Sequence, residues 1–358
     1  MATHRASPLE EPAAWGLERV AAFPRMRALA WCDDVLYASR GYTLLRAQMK
    51  AGSVEWQPIG RYRPSWWRSL SSSIRLGSRL FRDGFHALAV LPTGHMVAAV
   101  PGAIIRLAPG ESEFRVCHRV LRGTRPLHIA ATPSGHLLWG EYFDNPGRDE
   151  VHVYASSDQG ATWSVAYTFA KGAIRHVHNI VYDQWENCLW VLTGDKGAEC
   201  RILRAACDLS TLDVALSGSQ QARAVALVPT VDALYFSSDT PLEANHVYRL
   251  DRRMNLAEVA ELRSSSIYGC RVGESIFFST MVEPSVVNPV FDVGLYGSRD
   301  GDDWQRLLSW KKDRWPMGLF QYGNAFLPDG RNQTNILAIT TVAVEEGDLE
   351  TSLWRVRP

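Results

Sequence analysis

Short apolar runs, most of them alternating with polar positions, follow one another along nearly the whole chain, separated by Gly, Pro, Ser and Asp. Period-two alternation bounded by such residues marks half-buried β-strands. The runs come in fours. One unit reads His86–Leu91, His95–Val100, Ala103–Leu107 and Phe114–Cys117: a strand, a turn, a second strand, a loop and two more strands. Units begin near Arg27, His86, Leu127, Val177, Ala222, Ile267 and Phe320. The period is roughly 45 residues, the length of a four-stranded propeller blade. Seven units predict an all-β, seven-bladed β-propeller spanning residues 1–358 as one domain, with six blades and a decorated edge as the alternative. The seventh unit runs out of chain before its fourth strand. Residues Gly16–Phe23 can supply it, which closes the ring and removes a free sheet edge.

One segment breaks the repeat. Between the first two units, residues 63–83 mix Trp66, Trp67, Leu70, Ile74 and Phe81 with Arg63, Arg68, Arg75, Arg79 and Arg82. The pattern predicts a short, basic, amphipathic helical insertion. Two roles fit it: a cap on the propeller with its arginines in water, or a face lying on an anionic membrane surface.

Two copies of a turn motif sharpen the picture. Ser156-Ser-Asp-Gln-Gly-Ala-Thr-Trp163 reads S-x-D-x-G-x-T-W, and Ser298-Arg-Asp-Gly-Asp-Asp-Trp304 is a copy one residue shorter. Asp158 can accept from backbone N–H groups and close a tight turn. Gly160 supplies a backbone angle that other residues avoid, and Trp163 then opens a strand between its neighbours. The copies stand about three periods apart. These motifs resemble the Asp-box of the sialidase-like (BNR-repeat) propeller superfamily. The resemblance implies turns between outer strands and a glycan-related role: exo-sialidases, other glycosidases, some lyases, and non-catalytic binders and assembly factors. The Arg-Ile-Pro motif of true sialidases does not occur. By the same resemblance Arg27 and Arg223 would belong to an arginine clasp for a carboxylate. Tyr268 with Glu283 or Glu141 would imitate the sialidase Tyr–Glu pair. Oligogalacturonate lyases, seven-bladed and metal-dependent with clustered histidines, offer the nearest other chemistry.

Composition narrows the partners. Basic and acidic side chains balance at 38 each, so the formal charge is zero. A general nucleic-acid binder shows a basic excess. No run approaches the ~18 apolar residues of a membrane helix, and the first residues lack the apolar core of a signal peptide. The expectation is therefore a cytoplasmic protein, touching the inner face of a membrane, if at all, through 63–83. The six cysteines show no C-x-x-C spacing and read as free thiols in a reducing compartment. The 13 tryptophans suit sugar clefts and propeller cores alike.

Ring geometry converts the repeat into a site. The first strand of each blade starts at one mouth of the central channel, and the second strand ends there. Blade starts offer Arg27, His86, His128, His176 with His178, Arg223, Tyr268, and Gln321 with Tyr322. Second-strand ends offer Arg40, Glu141 followed by Tyr142, Asp195, Asp239 and Glu283. A carboxylate from each of four successive blades would repel its neighbours unless His, Arg, a metal or protons intervene, and such a cost suits an active site. Three functions follow. Glycoside hydrolysis would use Glu141 or Asp195 as acid/base, Glu283 with Tyr268 as nucleophile or stabilising pair, and Asp239 as a further carboxylate. His128, His176, His178, Arg223, Arg27, His86, Tyr142, Gln321 and Tyr322 would contact the sugar, with no cofactor required. A polysaccharide lyase would instead place a divalent metal on His128, His176 and His178, with a carboxylate or Gln321 completing the shell. A non-catalytic propeller would hold a glycan or a protein within a polysaccharide assembly complex.

Overall fold

The structure is a computed structural model that describes residues 15–49 and 54–357. Seven antiparallel sheets stand in a ring, one per predicted unit. Their innermost strands are Arg27–Asp33, Ala87–Val90, Ala130–Ala131, His176–Asp183, Ala224–Pro229, Ser266–Val272 and Asn324–Phe326, which we number as blades 1 to 7. Each blade runs outward strand by strand. Blade 7 takes its fourth strand from the other end of the chain: Gly16–Pro24 pairs antiparallel with Glu350–Arg357. This is the predicted closure: the last blade has its four strands, and the two ends of the described chain seal the ring.

The core lies between blades, where apolar faces of neighbouring sheets meet. Trp139 and Trp190 are almost wholly buried there. Both Asp-box segments form the expected turns between third and fourth strands, in blades 3 and 6. Asp158 accepts from the Thr162 N–H at 2.9 Å and the Thr162 hydroxyl at 2.6 Å. Asp300 accepts from the Asp302 and Asp303 N–H groups at 3.0 and 3.2 Å. Gly160 has φ +81°, and a Cβ there would lie 2.4 Å from Val97 of blade 2. Trp163 closes the same gap, its ring 6.2 Å from that of Trp139.

Two features differ from the sequence expectation. Asp329–Asn332 forms an additional strand that pairs parallel with Arg27–Asp33 inside the channel. The segment carries no apolar alternation, so nothing in its pattern announces a strand. The insertion is helical as expected, but as two short helices, Trp66–Ser73 and Arg75–Phe81. Its arginines are not all in water. Arg79 is fully buried and bridges Asp313 at 2.5 Å and Asp348 at 3.4 Å. Its guanidinium also donates to the Phe320 carbonyl at 2.9 Å. A buried guanidinium needs such partners, and these tie the insertion across the mouth to blades 6 and 7. Trp66, Leu70 and Ile74 remain exposed on the outer side. Among the described residues no helix is long and apolar enough to cross a membrane. All six cysteines are free thiols.

Candidate functional site

His176 and His178 open the first strand of blade 4, where alternation puts both on one face. A β-bulge between Val177 and Asn179 re-aims the chain at His178. The two Nε2 atoms stand 3.0 Å apart. His176 Nδ1 faces the Phe143 carbonyl at 3.1 Å, and His178 Nδ1 faces the Ala224 carbonyl at 2.9 Å. Asp195, at the end of the second strand of the same blade, brings Oδ1 to 3.4 Å from each Nε2. Gly194 allows this approach: a Cβ there would come within 3.2 Å of His178 Cε1 and 3.5 Å of Arg223 Cγ. The ring of Tyr142 covers His176 at 4.4 Å. Among the described residues, His176, His178 and Asp195 are the group whose donor atoms could hold a metal.

Arg223 links this blade to the next. Its Nη2 lies 3.6 Å from Asp195 Oδ1 and 3.4 Å from Asp239 Oδ2. Arg175 adds an Nη1 contact at 3.5 Å to Asp195. The two carboxyls behave oppositely. Burial pushes Asp195 up, but the contacts with His176 and His178 outweigh it and hold the group far below the usual carboxylate range. Burial pushes Asp239 up to about 7, aided by Glu283 and Asp195, and Arg223 only partly offsets this. Glu283, from blade 6, accepts from the Ser265 hydroxyl at 2.6 Å. Burial beside the two aspartates raises the Tyr142 hydroxyl to about 12, so it stays a neutral donor.

The other side of the channel is basic. Arg27 Nη1 lies 3.2 Å from His86 Nδ1, and its guanidinium stacks 4.0 Å from the Phe326 ring centre. Burial and the adjacent Arg27 lower Arg125 to about 10, and its Nε is buried without a partner among the described residues. Burial, with Arg125 and Arg27 nearby, pushes His86 well below its ordinary value.

Asp195, Asp239, Glu283, His176, His178, Tyr142 and Arg223 thus meet at one mouth, and several expected members stand apart from them. Glu141 is buried in a bidentate ion pair with Arg122 and accepts the His152 N–H at 2.9 Å. Both its oxygens are engaged, and it makes no contact with Asp195, Asp239 or the histidine pair. His128 does not join the other two histidines: its Nδ1 lies 2.9 Å from Asp329. The three-histidine metal set is therefore replaced by two histidines and Asp195. Tyr268 does not pair with Glu283 or Glu141. It packs on Phe326 at 4.8 Å, its hydroxyl raised by burial and opposed by Arg27. His128 and Tyr268 line a channel cavity of about 680 Å³ on the far side of the inner strands. Gln321 donates to the Arg79 carbonyl at 2.9 Å and so holds the insertion. Tyr322 is exposed, and Arg40 lies beside the insertion. Arg175 and Arg125 were missed. Both sit in loops leading into a first strand, the same position that picked out Arg27, but each was overshadowed by a nearby histidine.

No family model matches the chain, and no curated protein does. Solved structures do. A chain of a mitotic checkpoint complex crystal structure aligns at TM-score 0.55 and 10% identity over 100% of both chains. The WD40 β-propeller domain of Doa1 aligns at TM-score 0.55 and 9% identity, covering 95% of this chain and 96% of that one. The computationally designed Ika8 protein aligns at TM-score 0.52 and 10% identity, covering 96% and 100%. At such identity the likeness is one of fold, and the chain is a seven-bladed β-propeller.

Proposed function

We propose that this chain is a sialidase-like propeller that hydrolyses a glycosidic bond in an acidic glycan at the mouth formed by blades 4 to 6. One observation carries it: Asp195 and Asp239 approach the same guanidinium nitrogen of Arg223, yet one is held ionised and the other is kept near neutrality. Two carboxyls pushed apart in this way match the proton donor and the ionised partner of a glycosidase. Asp239 gives its proton to the leaving sugar oxygen. Asp195 stabilises the positive charge that develops on the sugar, and Asp239, left as a carboxylate, takes the proton of the attacking water. Arg125, Arg27 and Arg223 face acid groups of the glycan, and Tyr142 offers a hydroxyl and a ring face. The two Asp-box turns support the sialidase-like placement. Asp195→Asn and Asp239→Asn, assayed separately on a panel of acidic oligosaccharides for new reducing ends, test it. Full turnover by both variants removes the roles.

A second reading, metal-assisted lysis of a uronate glycan, is favoured by the histidine pair. The Phe143 and Ala224 carbonyls only accept, so each Nδ1 carries a hydrogen and each ring turns Nε2 toward the other and toward Asp195. A proton on Nε2 satisfies Asp195, and a divalent cation held by both Nε2 atoms and the Asp195 oxygen would do so equally. His176, His178 and Asp195 would hold a divalent metal, which would acidify the proton beside a uronate carboxyl. Zinc and manganese content after loading, in wild type and His178→Gln, checks this. Equal content in both sinks it, and absorbance from an unsaturated uronate product separates lysis from hydrolysis.

A further inference from the structure

A second pocket lies on the basic side, between the helical insertion and the mouth ends of blades 1, 2 and 7. Its volume is about 390 Å³, and six arginines line it: Arg25, Arg27, Arg40, Arg61, Arg75 and Arg82. The lining contains one carboxylate, Asp83. That group is spent elsewhere: it takes Arg68 Nη1 at 2.8 Å, the Tyr42 hydroxyl at 2.9 Å and the Ser71 hydroxyl. Arg75 is bound to Asp348 at 2.6 Å. Arg25, Arg40, Arg61 and Arg82 have no carboxylate partner among the described residues. Arg25 reaches only the Ser73 carbonyl, at 3.5 Å.

His86 adds no counter-charge. Its Nε2 lies 2.6 Å from the Arg82 carbonyl, which only accepts, so Nε2 carries the hydrogen. Nδ1 is then free to accept from Arg27, and the ring is neutral. The four unpaired arginines are all exposed, so water screens them in part, but like charges gathered around one concavity still raise its potential, and an anion that enters lowers it. Arg82 caps the second helix in the left-handed conformation, its N–H on the Arg79 and Ser78 carbonyls, which fixes where its side chain leaves the helix. Five serines, Ser39, Ser69, Ser72, Ser73 and Ser78, complete the wall with short hydroxyl side chains.

We propose that this pocket binds a ligand bearing phosphate groups. Planar guanidiniums grip phosphate oxygens in pairs, and the pocket offers several at once. The phosphates belong either to a free phosphorylated compound or to a lipid headgroup. The exposed Trp66, Leu70 and Ile74 on the outer side of the same helices make the second source physically reasonable. The site shares Arg27 with the proposed glycan cleft, but none of Asp195, Asp239 or His176 lines it, and Arg40 and Arg82, which test it, play no part in that reading.

Calorimetric titration of the full chain with inorganic tripolyphosphate tests the pocket, with Arg40→Ala, Arg82→Ala and Arg82→Lys alongside. We expect saturable one-to-one binding, weakened about tenfold or more by each alanine variant and partly restored by Arg82→Lys. Arg46→Ala and Arg119→Ala, which lie outside the pocket, should bind as wild type does. Equal affinity across all variants, or equal loss in the outside pair, overturns the site. Circular dichroism melts establish that the alanine variants fold. If Arg82→Ala unfolds, Arg40→Ala carries the test alone, because Arg40 is exposed and packs in no core. Sedimentation with phosphatidylcholine vesicles, with and without phosphatidic acid, separates the sources. Phosphatidate-dependent pelleting lost in Arg82→Ala assigns a headgroup, tripolyphosphate binding without pelleting assigns a free phosphate compound, and the absence of both overturns the proposal.

Discussion

Two sides of one channel mouth carry opposite charge. On blades 4 to 6, Asp195, Asp239 and Glu283 gather around Arg223 and two histidines. On blades 1 to 3, Arg27, Arg82 and Arg125 surround a neutral His86. The acidic side is nearly self-compensating: Asp195 and Asp239 find a guanidinium, an imidazole or a proton, and Glu283 takes the Ser265 hydroxyl. The basic side is not, and Arg125 keeps a buried Nε with no partner. A self-compensated cluster with divergent proton affinities is suited to moving protons. An uncompensated one is suited to holding an anion. The division of labour is therefore legible in which side leaves its charges unpaired.

The comparison breaks most sharply at the two aspartates. Asp195→Asn and Asp239→Asn should each lower kcat by about 10²- to 10⁴-fold, the usual weight of a positioned acid or base, while ligand affinity changes little. His128→Gln, outside the cluster, serves as the control and should leave kcat intact. A mutation on the basic side should instead cost stability. Arg79→Ala removes a buried guanidinium from Asp313 and Asp348, which keep Lys312 and Arg75 as partners, and leaves the Phe320 carbonyl without its donor; it should lower unfolding free energy by about 2 kcal/mol in urea titration. It should also loosen the insertion without touching the aspartates. Arg125→Ala should weaken acidic oligosaccharides roughly tenfold and leave neutral ones unchanged, with kcat preserved at saturation.

The smallest effect sharpens the comparison through pH. Asp239 is raised to about 7 in the fold, above the roughly 3.9 of an unfolded Asp. Its proton is present below about 7 and lost above it, so kcat should fall along a limb centred near 7. The sign for stability is the same. An acid whose folded value is raised makes folding less favourable as pH climbs from about 4 to about 7, and Asp239→Asn should flatten that part of the profile. An unchanged pH limb in Asp239→Asn would assign the titration to another group.

Much of this architecture is readable before any coordinate. Strand alternation, a period shared by seven units, and the Ser156–Trp163 and Ser298–Trp304 turns depend on neighbours within a few residues, so the chain displays them directly. The orphan strand Gly16–Pro24 was legible because the last unit lacked one. The candidate site was legible in part. Placing Asp195, Asp239 and Glu283 at one mouth needed only the rule that second strands end there. That Glu141 turns aside was not legible, because its partner Arg122 lies in a loop whose path no pattern sets. The Asp329–Asn332 strand was hidden for a similar reason: it pairs parallel with blade 1, far away in sequence, and shows no alternation of its own.

The sequence by itself determined the blades and the mouth where polar residues collect, and favoured seven over six, because those follow from short-range periodicity and the geometry of a closed ring; the seven sheets of the structure fix the number. Only the tertiary structure decided which of those residues share a site. His176 and His178 belong with Asp195 rather than with His128, Gln321 serves the insertion, and six arginines line a common pocket. Partnership of that kind is set by side-chain direction and by loops reaching across the ring, and ionisation follows partnership. A carboxyl at a strand end reads the same in one dimension whether a guanidinium, an imidazole or a second carboxyl waits for it across the channel.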